Sequence, residues 1–174
     1  MRSVLVLVLL VMLSGCHGDQ PPVTPVPTPS VTPVFTSDEE ALAAAEESYK
    51  RYLAVSDGAS SGGWVKPELL APFTTAGELE RTKITFAELA ETGRHTQGES
   101  TFDSMILQHR DDLEVAVYVC LDVSGVRLLD STGIDVTPAD RPNRLPLEIV
   151  FQIAPDERLM LDTSDLWAGG GICE

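Results

Sequence analysis

Residues 113–122 read LEVAVYVCLD and alternate between two kinds of side chain without interruption. Large aliphatic residues occupy every odd position, while the even positions carry Glu, Ala, Tyr, Cys and Asp. Successive side chains of a β-strand point to opposite faces of a sheet, so a two-residue period indicates a strand with one buried face. The stretch therefore predicts a central strand whose odd positions, Leu113 to Leu121, face the core.

Further strands are predicted on both sides of this segment. Turn-forming residues lie at 110–112, 131–133 and 155–157, where Asp, Gly, Pro and Ser are frequent. They separate alternating or apolar stretches that are typical of short antiparallel strands. The predicted strands are residues 100–109, 126–129, 147–153 and 159–167.

The segment before Gly93 has a helical period instead. Ser37 followed by Glu40 forms a capping box, and apolar residues then recur at helical spacing as far as Asp57-Gly58. We expect this helix to end at Gly58 and a loop to follow over residues 59–63. A short helix from Pro67 and a longer one from Thr75 to Gly93 follow, with a break in the longer helix near Ile84-Thr85.

Helices followed by a meander of strands predict an α+β fold in which N-terminal helices are packed in a curved antiparallel sheet. This order over residues 37–174 resembles the cone-shaped superfamily named after nuclear transport factor 2, which includes ketosteroid isomerase and scytalone dehydratase. The alternative is an open antiparallel sheet with helices on one face.

The first sixteen residues form a separate segment. One arginine precedes an apolar run from Val4 to Leu13, which as a helix would span only about 15 Å, half of a hydrocarbon core. This composition is typical of a secretory leader, here residues 1–15. Leu13-Ser14-Gly15-Cys16 resembles the lipobox of bacterial lipoproteins, which implies a lipid on the sulfur of Cys16. The alternative is an ordinary cleaved signal that happens to precede a cysteine.

Residues 16–36 are rich in proline and threonine. Proline fixes φ and lacks an N–H donor, so the segment predicts an extended tether between the lipid and a single domain at 37–174. The resemblance thus implies a protein anchored by lipid at the outer, extracytoplasmic face of the cell membrane. An O-glycosylated stalk has the same composition.

With Cys16 assigned to the lipid, Cys120 and Cys173 remain. An even pair in an oxidising compartment predicts a disulfide between them. A reactive thiol pair or a pair of metal ligands is the alternative, although neither cysteine has a neighbouring histidine or CxxC spacing.

The formal net charge of −15 restricts the partners. Nucleic-acid binding depends on basic groups, so we expect none here. Anionic lipid heads would repel the domain, which leaves the acyl chains as the membrane contact. The histidines are dispersed and no metal-ligand spacing occurs, so no metal or cofactor is expected.

Enzymes of the cone-shaped superfamily place acids and tyrosines in a pocket between the long helix and the sheet, where a carboxylate of shifted pKa acts beside a proton donor. No catalytic set can be assigned from the sequence. The residues that could line such a pocket are Tyr49, Tyr52, Trp64, Asp103, His109 and Tyr118.

Two functional hypotheses follow. The segment CLDVSGV at 120–126, with Trp167 and Cys173 near the end, resembles a group of uncharacterised actinobacterial lipoproteins and exported proteins. The first hypothesis is a cell-envelope lipoprotein whose domain binds a small ligand or an envelope protein without catalysis. The alternative is a small lyase, isomerase or hydrolase that uses an acid in the pocket.

Overall fold

The computed structural model of this chain describes residues 34–174. The predicted leader, Cys16 and the tether as far as residue 33 lie outside the described residues. The elements in chain order are α1 Asp38–Ser61, a 3₁₀ helix Pro67–Leu70, α2 Ala76–Glu91, β1 His95–Gln97, β2 Thr101–Arg110, β3 Glu114–Asp122, β4 Arg127–Leu129, β5 Arg144–Ile153 and β6 Leu159–Leu166.

The four long strands form one antiparallel sheet in the order β2-β3-β5-β6. The register between β3 and β5 is unbroken from Glu114 opposite Gln152 to Asp122 opposite Arg144. Irregularities interrupt the pairs β2–β3 and β5–β6, and such bulges bend a strand. The predicted α+β class, with helices packed on a curved antiparallel sheet, is confirmed.

The inner face of the sheet packs against α1. Val115, Val117 and Val119 are fully buried there, which confirms the predicted orientation of the alternating stretch. Leu113 is the exception, because it precedes the first residue of β3 and is 75% exposed in the turn. Val34 and Phe35, which the sequence placed in the tether, also pack against this core, so the folded part begins before residue 37.

The capping box predicted at the start of α1 is present in a modified form. The Ser37 hydroxyl accepts a hydrogen bond from the Glu40 N–H at 3.2 Å. The Glu40 carboxylate accepts from the N–H and the hydroxyl of Thr36, each at 2.7 Å, and these bonds hold the pKa of Glu40 below its ordinary value.

The predicted end of α1 at Gly58 is wrong. The helix continues to Ser61, where Gly62 caps it, and the predicted loop therefore begins later. Ala59 and Ser60 are buried in this last turn. Their burial offsets the cost of one glycine in a helix, about 1 kcal/mol relative to alanine.

Gly58→Ala is expected to stabilise the domain by about 0.5–1 kcal/mol. Gly58 has helical neighbours on both sides, and a Cβ added there meets no atom within 4 Å. Alanine removes backbone freedom from the unfolded chain and so raises the free energy of unfolding. Urea unfolding of both proteins measures the change. A loss of stability would mean that Gly58 is not part of a helix.

A second, smaller cluster joins both helices and the 3₁₀ helix. Leu70, Phe86 and Ala59 are buried in it, and Trp64 packs at its edge. Helix α2 begins at a Thr75 cap and runs unbroken to Glu91, so the break expected at Ile84-Thr85 is absent. Between residues 34 and 174, neither helix combines the length and the apolar character that crossing a bilayer requires.

Two features of the connections were not predicted correctly. No strand was predicted at His95, but it begins β1, which pairs antiparallel with β4 from His95 opposite Leu129 to Gln97 opposite Arg127. The strand predicted from residue 147 begins earlier, because Arg144 is the first residue of β5.

The chain after β6 folds back over the outer face of the sheet, the face opposite α1 that carries Tyr118 and Cys120. Trp167 stacks on Tyr118 with ring centroids 4.3 Å apart, and Ile172 is buried. Cys173 is bonded to Cys120, which confirms the predicted disulfide.

Candidate functional site

Tyr49 and Tyr52 lie on α1 but do not line an open pocket. Tyr49 is 1% exposed, with its ring 5.1 Å from that of Phe102 in an edge-on arrangement and 6.0 Å from that of Tyr52. Burial raises the pKa of the Tyr52 phenol to about 12 and shifts that of Tyr49 in the same direction. Both phenols therefore stay protonated at neutral pH and serve mainly as packing groups.

Trp64 lies in a different part of the domain. Its ring packs edge-on against Phe86 in the second cluster, with centroids 5.4 Å apart. This contact is made by the loop after α1 and by α2, and the sheet takes no part in it. Trp64 is therefore a packing residue of the helical layer.

Asp103 and Tyr118 lie on the outer face. Asp103 is paired across the strands with Cys120, which shares the face of Tyr118. The Asp103 carboxylate accepts two hydrogen bonds from Arg144, at 2.8 and 3.0 Å, and these lower its pKa. The Tyr118 hydroxyl accepts a hydrogen bond from Gln108.

The residues predicted to line one pocket thus occupy separate places, and the structure does not bring them together. The reason is that the aromatic residues at core spacing fill the hydrophobic clusters of the domain. The two-residue period of β3 directs Tyr118 away from α1. The sheet therefore separates Asp103 and Tyr118 from Tyr49. His109 lies near the end of β2, where its Nε2 is 3.5 Å from the exposed carboxylate of Asp111.

A cavity of about 650 Å³ opens at a different place, between the C-terminal half of α1 and the segment that leads into β2. Leu53, Ala54 and Phe102 provide apolar surface in it. The polar residues that line it are Lys50, Asp57, Ser61, Glu99, Ser100 and Thr101.

Two contacts fix the wall of this cavity. Asp57 on α1 accepts hydrogen bonds from the N–H of Ser100 at 2.7 Å and from its hydroxyl at 2.9 Å. Gly98 has a φ of +106°, and a Cβ added there would lie 2.1 Å from the carbonyl oxygen of Gly125. Only glycine permits this approach, which holds the segment before β2 against the loop before β4.

The cavity therefore has a rigid wall, an apolar surface and a polar rim. The hydrogen bonds from Ser100 hold the carboxylate of Asp57 against the wall. Lys50, Asp57 and Glu99 are the charged residues of the lining, and none of them forms an ion pair with the described residues. Such a space suits a small molecule with an apolar body and a polar end.

None of these lining residues was predicted to have a functional role. The cavity forms where residues 50–61 meet residues 98–102, and neither segment carries a motif of its own. The available signal was Gly98-Glu99-Ser100, a turn-like tripeptide directly before a strand. It indicates a close approach of backbones but no chemistry.

Residues 34–174 contain no group of three or more His, Cys, Asp or Glu side chains arranged to hold a metal ion. The acidic residues at the strand ends have structural partners instead. Asp122 accepts from the Ser124 N–H at 2.8 Å, and Asp130 accepts from the N–H and the hydroxyl of Thr132, at 2.8 and 2.7 Å. These bonds stabilise turns and lower the pKa of both carboxyls.

No protein-family model matches the chain, and the comparison with curated proteins finds no match either. Among solved structures, the chain is similar to the intermembrane space region of the chloroplast protein ARC6, at 13% identity and a TM-score of 0.56. The match covers 74% of this chain and 97% of that one.

Two actinobacterial structures also match, at TM-scores of 0.48. One is from Catenulispora acidiphila, at 16% identity over 72% of this chain and 88% of that one. The other is Aln2 from a Streptomyces species, at 17% identity over 76% of this chain and 93% of that one. At these levels of identity the likeness concerns the fold alone, and the ARC6 region is the comparison that supports the α+β arrangement described above.

Proposed function

We propose that this protein is a cell-envelope lipoprotein whose domain binds a small, largely apolar molecule in the cavity between α1 and the start of β2. The observation that carries the proposal is the cavity itself. Its volume of about 650 Å³ is within the range that small-molecule sites occupy, and apolar surface lies behind a polar rim.

Binding without chemistry is the function that this geometry supports best. General acid–base catalysis needs a proton donor and a carboxylate or base within hydrogen-bond reach of the substrate. Both carboxylate oxygens of Asp57 accept hydrogen bonds from Ser100, Glu99 is exposed to solvent at the rim, and Tyr49 is buried in the core. No observation in the described residues favours the lyase, isomerase or hydrolase alternative.

The extracytoplasmic location of the domain is part of the same proposal. Disulfides persist in oxidising compartments, so the bond between Cys120 and Cys173 supports an extracytoplasmic domain. The lipobox-like sequence ending at Cys16 supports a lipid anchor. The order of helices and strands supports the further proposal of a cone-shaped domain like nuclear transport factor 2.

The cavity is tested by filling it. Ala54 is exposed to the cavity, and Ala54→Trp would occupy its apolar part. With 1-octanol as the probe and the purified full-length chain, we expect calorimetric titration to show a loss of affinity of about tenfold or more. Ala43→Trp is the matched control, because Ala43 is exposed on the same helix and does not line the cavity. Absence of binding to the unchanged chain would refute the proposed site.

The anchor is tested in intact cells. Cys16→Ala is expected to abolish both palmitate labelling and membrane attachment, because the acyl chains are the proposed membrane contact. A variant that stays bound as tightly as the original, together with an unlabelled original, would contradict the lipid anchor.

A further inference from the structure

We infer that the cavity between α1 and β2 selects an amphipathic monocarboxylate, with the carboxylate at Lys50 and the aliphatic chain against Leu53, Ala54 and Phe102. This inference rests on the proposed function, since it names the class of ligand for the same cavity. Three observations on charge and contact carry it.

Lys50 does not pair with the carboxylate that lies at helical spacing from it. Glu46 lies four residues earlier on α1, which is the favourable order for a helical ion pair. The adjacent pair with the same spacing, Glu47 and Arg51, does form, with Nε 2.9 Å from Oε1. Lys50 forms no ion pair with any carboxylate of residues 34–174 and instead lines the cavity.

Asp57, the acid of the cavity wall, is directed to the segment before β2 and forms no ion pair with Lys50. Both oxygens of Asp57 accept hydrogen bonds from Ser100, one from its N–H and one from its hydroxyl. Glu99 is the remaining acid among the lining residues and is exposed at the rim. Lys50 is thus the one cation of the lining, and its ammonium keeps donors for a ligand.

The apolar part of the cavity determines the chemistry of the other end of the ligand. Phe102 is held by the ring of Tyr49 at 5.1 Å, and Leu53 is buried in the core, so both present fixed aliphatic or aromatic surface. Lys50 precedes Leu53 by three and Ala54 by four positions, which places all three on one face of α1. A chain that lies along this face would end at the ammonium.

The test uses three probes with the same eight-carbon chain: octanoate, 1-octanol and octylamine. Each is titrated by calorimetry into the purified full-length chain in nanodiscs, with empty nanodiscs as the blank. Octanoate is expected to bind about fivefold more tightly than 1-octanol, which corresponds to one ion pair at the protein surface. Octylamine is expected to bind more weakly than 1-octanol.

Substitution of two rim residues of opposite charge tests whether the rim causes the preference for octanoate. Lys50→Met is expected to weaken octanoate binding about fivefold and to change 1-octanol binding by less than about twofold. Glu99→Gln is expected to strengthen octanoate binding about twofold, because it removes a like charge. Lys66→Met is the control: Lys66 is also exposed and without an ion pair to the described residues, but it does not line the cavity.

The outcomes separate this inference from the proposed function. If 1-octanol binds but octanoate binds no more tightly, or if octylamine binds best, the ligand class is wrong and the cavity remains a binding site. If Lys50→Met leaves the preference for octanoate unchanged, the assignment to Lys50 is overturned. If none of the probes binds, the proposed function fails as well.

Discussion

Tyr49→Ala is expected to lower the free energy of unfolding by about 3–5 kcal/mol, the range for removing a large aromatic side chain from a core. Tyr49 is nearly inaccessible to solvent at the centre of α1, where its ring meets Tyr52 and Phe102. Alanine would remove the apolar transfer free energy of the ring and leave a void between helix and sheet. Urea unfolding with linear extrapolation measures the loss.

Tyr49→Phe is the matched control for this prediction. Phenylalanine keeps the ring that fills the site, so we expect a loss of about 1 kcal/mol or less. Near-wild-type stability of Tyr49→Ala would mean that the space between α1 and the sheet is not filled as described. That result would reopen the hypothesis of a catalytic pocket beside Tyr49.

The inner layer of the domain was predictable because local pattern and global packing agree there. The alternation from Val115 to Leu121 fixes which side chains face α1, and Ser37 and Thr75 cap helices for reasons that depend on their own side chains. The fold class follows from these signals, because a strand with one buried face requires a helical layer to cover it.

Elements that depend on distant contacts were not predictable in the same way. Gly58 is a helix-ending signal by itself, but the burial of Ala59 and Ser60 in the following turn outweighs it. β1 has only three residues, too few to show a period, and it exists because β4 pairs with it. Phe35 follows a proline-rich stretch, and only the core shows that it belongs to the domain.

The candidate site was missed for a related reason. The residues chosen from the sequence were chemically distinctive, and distinctive aromatic side chains are also the best core-filling groups. The cavity is lined mainly by ordinary residues whose importance comes from position. The segments around Ala54 and Gly98 are far apart in the sequence. The hydrogen bonds between Asp57 and Ser100 bring them together, and no local sequence pattern predicts these bonds.

Removal of the disulfide by Cys120→Ala with Cys173→Ala is expected to lower the free energy of unfolding by about 2–4 kcal/mol. The bond joins residues 53 positions apart, so it closes a long loop and restricts the unfolded chain strongly. Chemical denaturation of the double variant, without reductant, measures the difference. Dithiothreitol added to the unchanged chain is expected to reproduce it.

The C-terminal segment should remain partly docked in the double variant. Trp167 stacks on Tyr118, and the N–H of Trp167 donates to the carbonyl of Pro146 at 2.9 Å. Beyond Trp167, the contacts that remain are the buried side chain of Ile172 and a weaker hydrogen bond, from Arg144 Nε to the carbonyl of Cys173 at 3.3 Å. Hydrogen exchange is therefore expected to increase after residue 168 and to stay slow in β6.

The denaturant dependence distinguishes the cause of the loss. If the disulfide acts mainly by restricting the unfolded chain, its removal lets that chain expand and expose more surface, so the m-value should increase along with the loss of stability. If the bond acts mainly by holding the C-terminal segment on the outer face, the loss should be smaller and the m-value unchanged. Equal stability of the double variant and the unchanged chain would show that the two cysteines are not bonded in the protein. Because the cross-link encloses β4, β5 and β6, we expect the first of these results: the loop that it closes contains two of the four long strands, and so its effect on the unfolded state exceeds its effect on the last few residues.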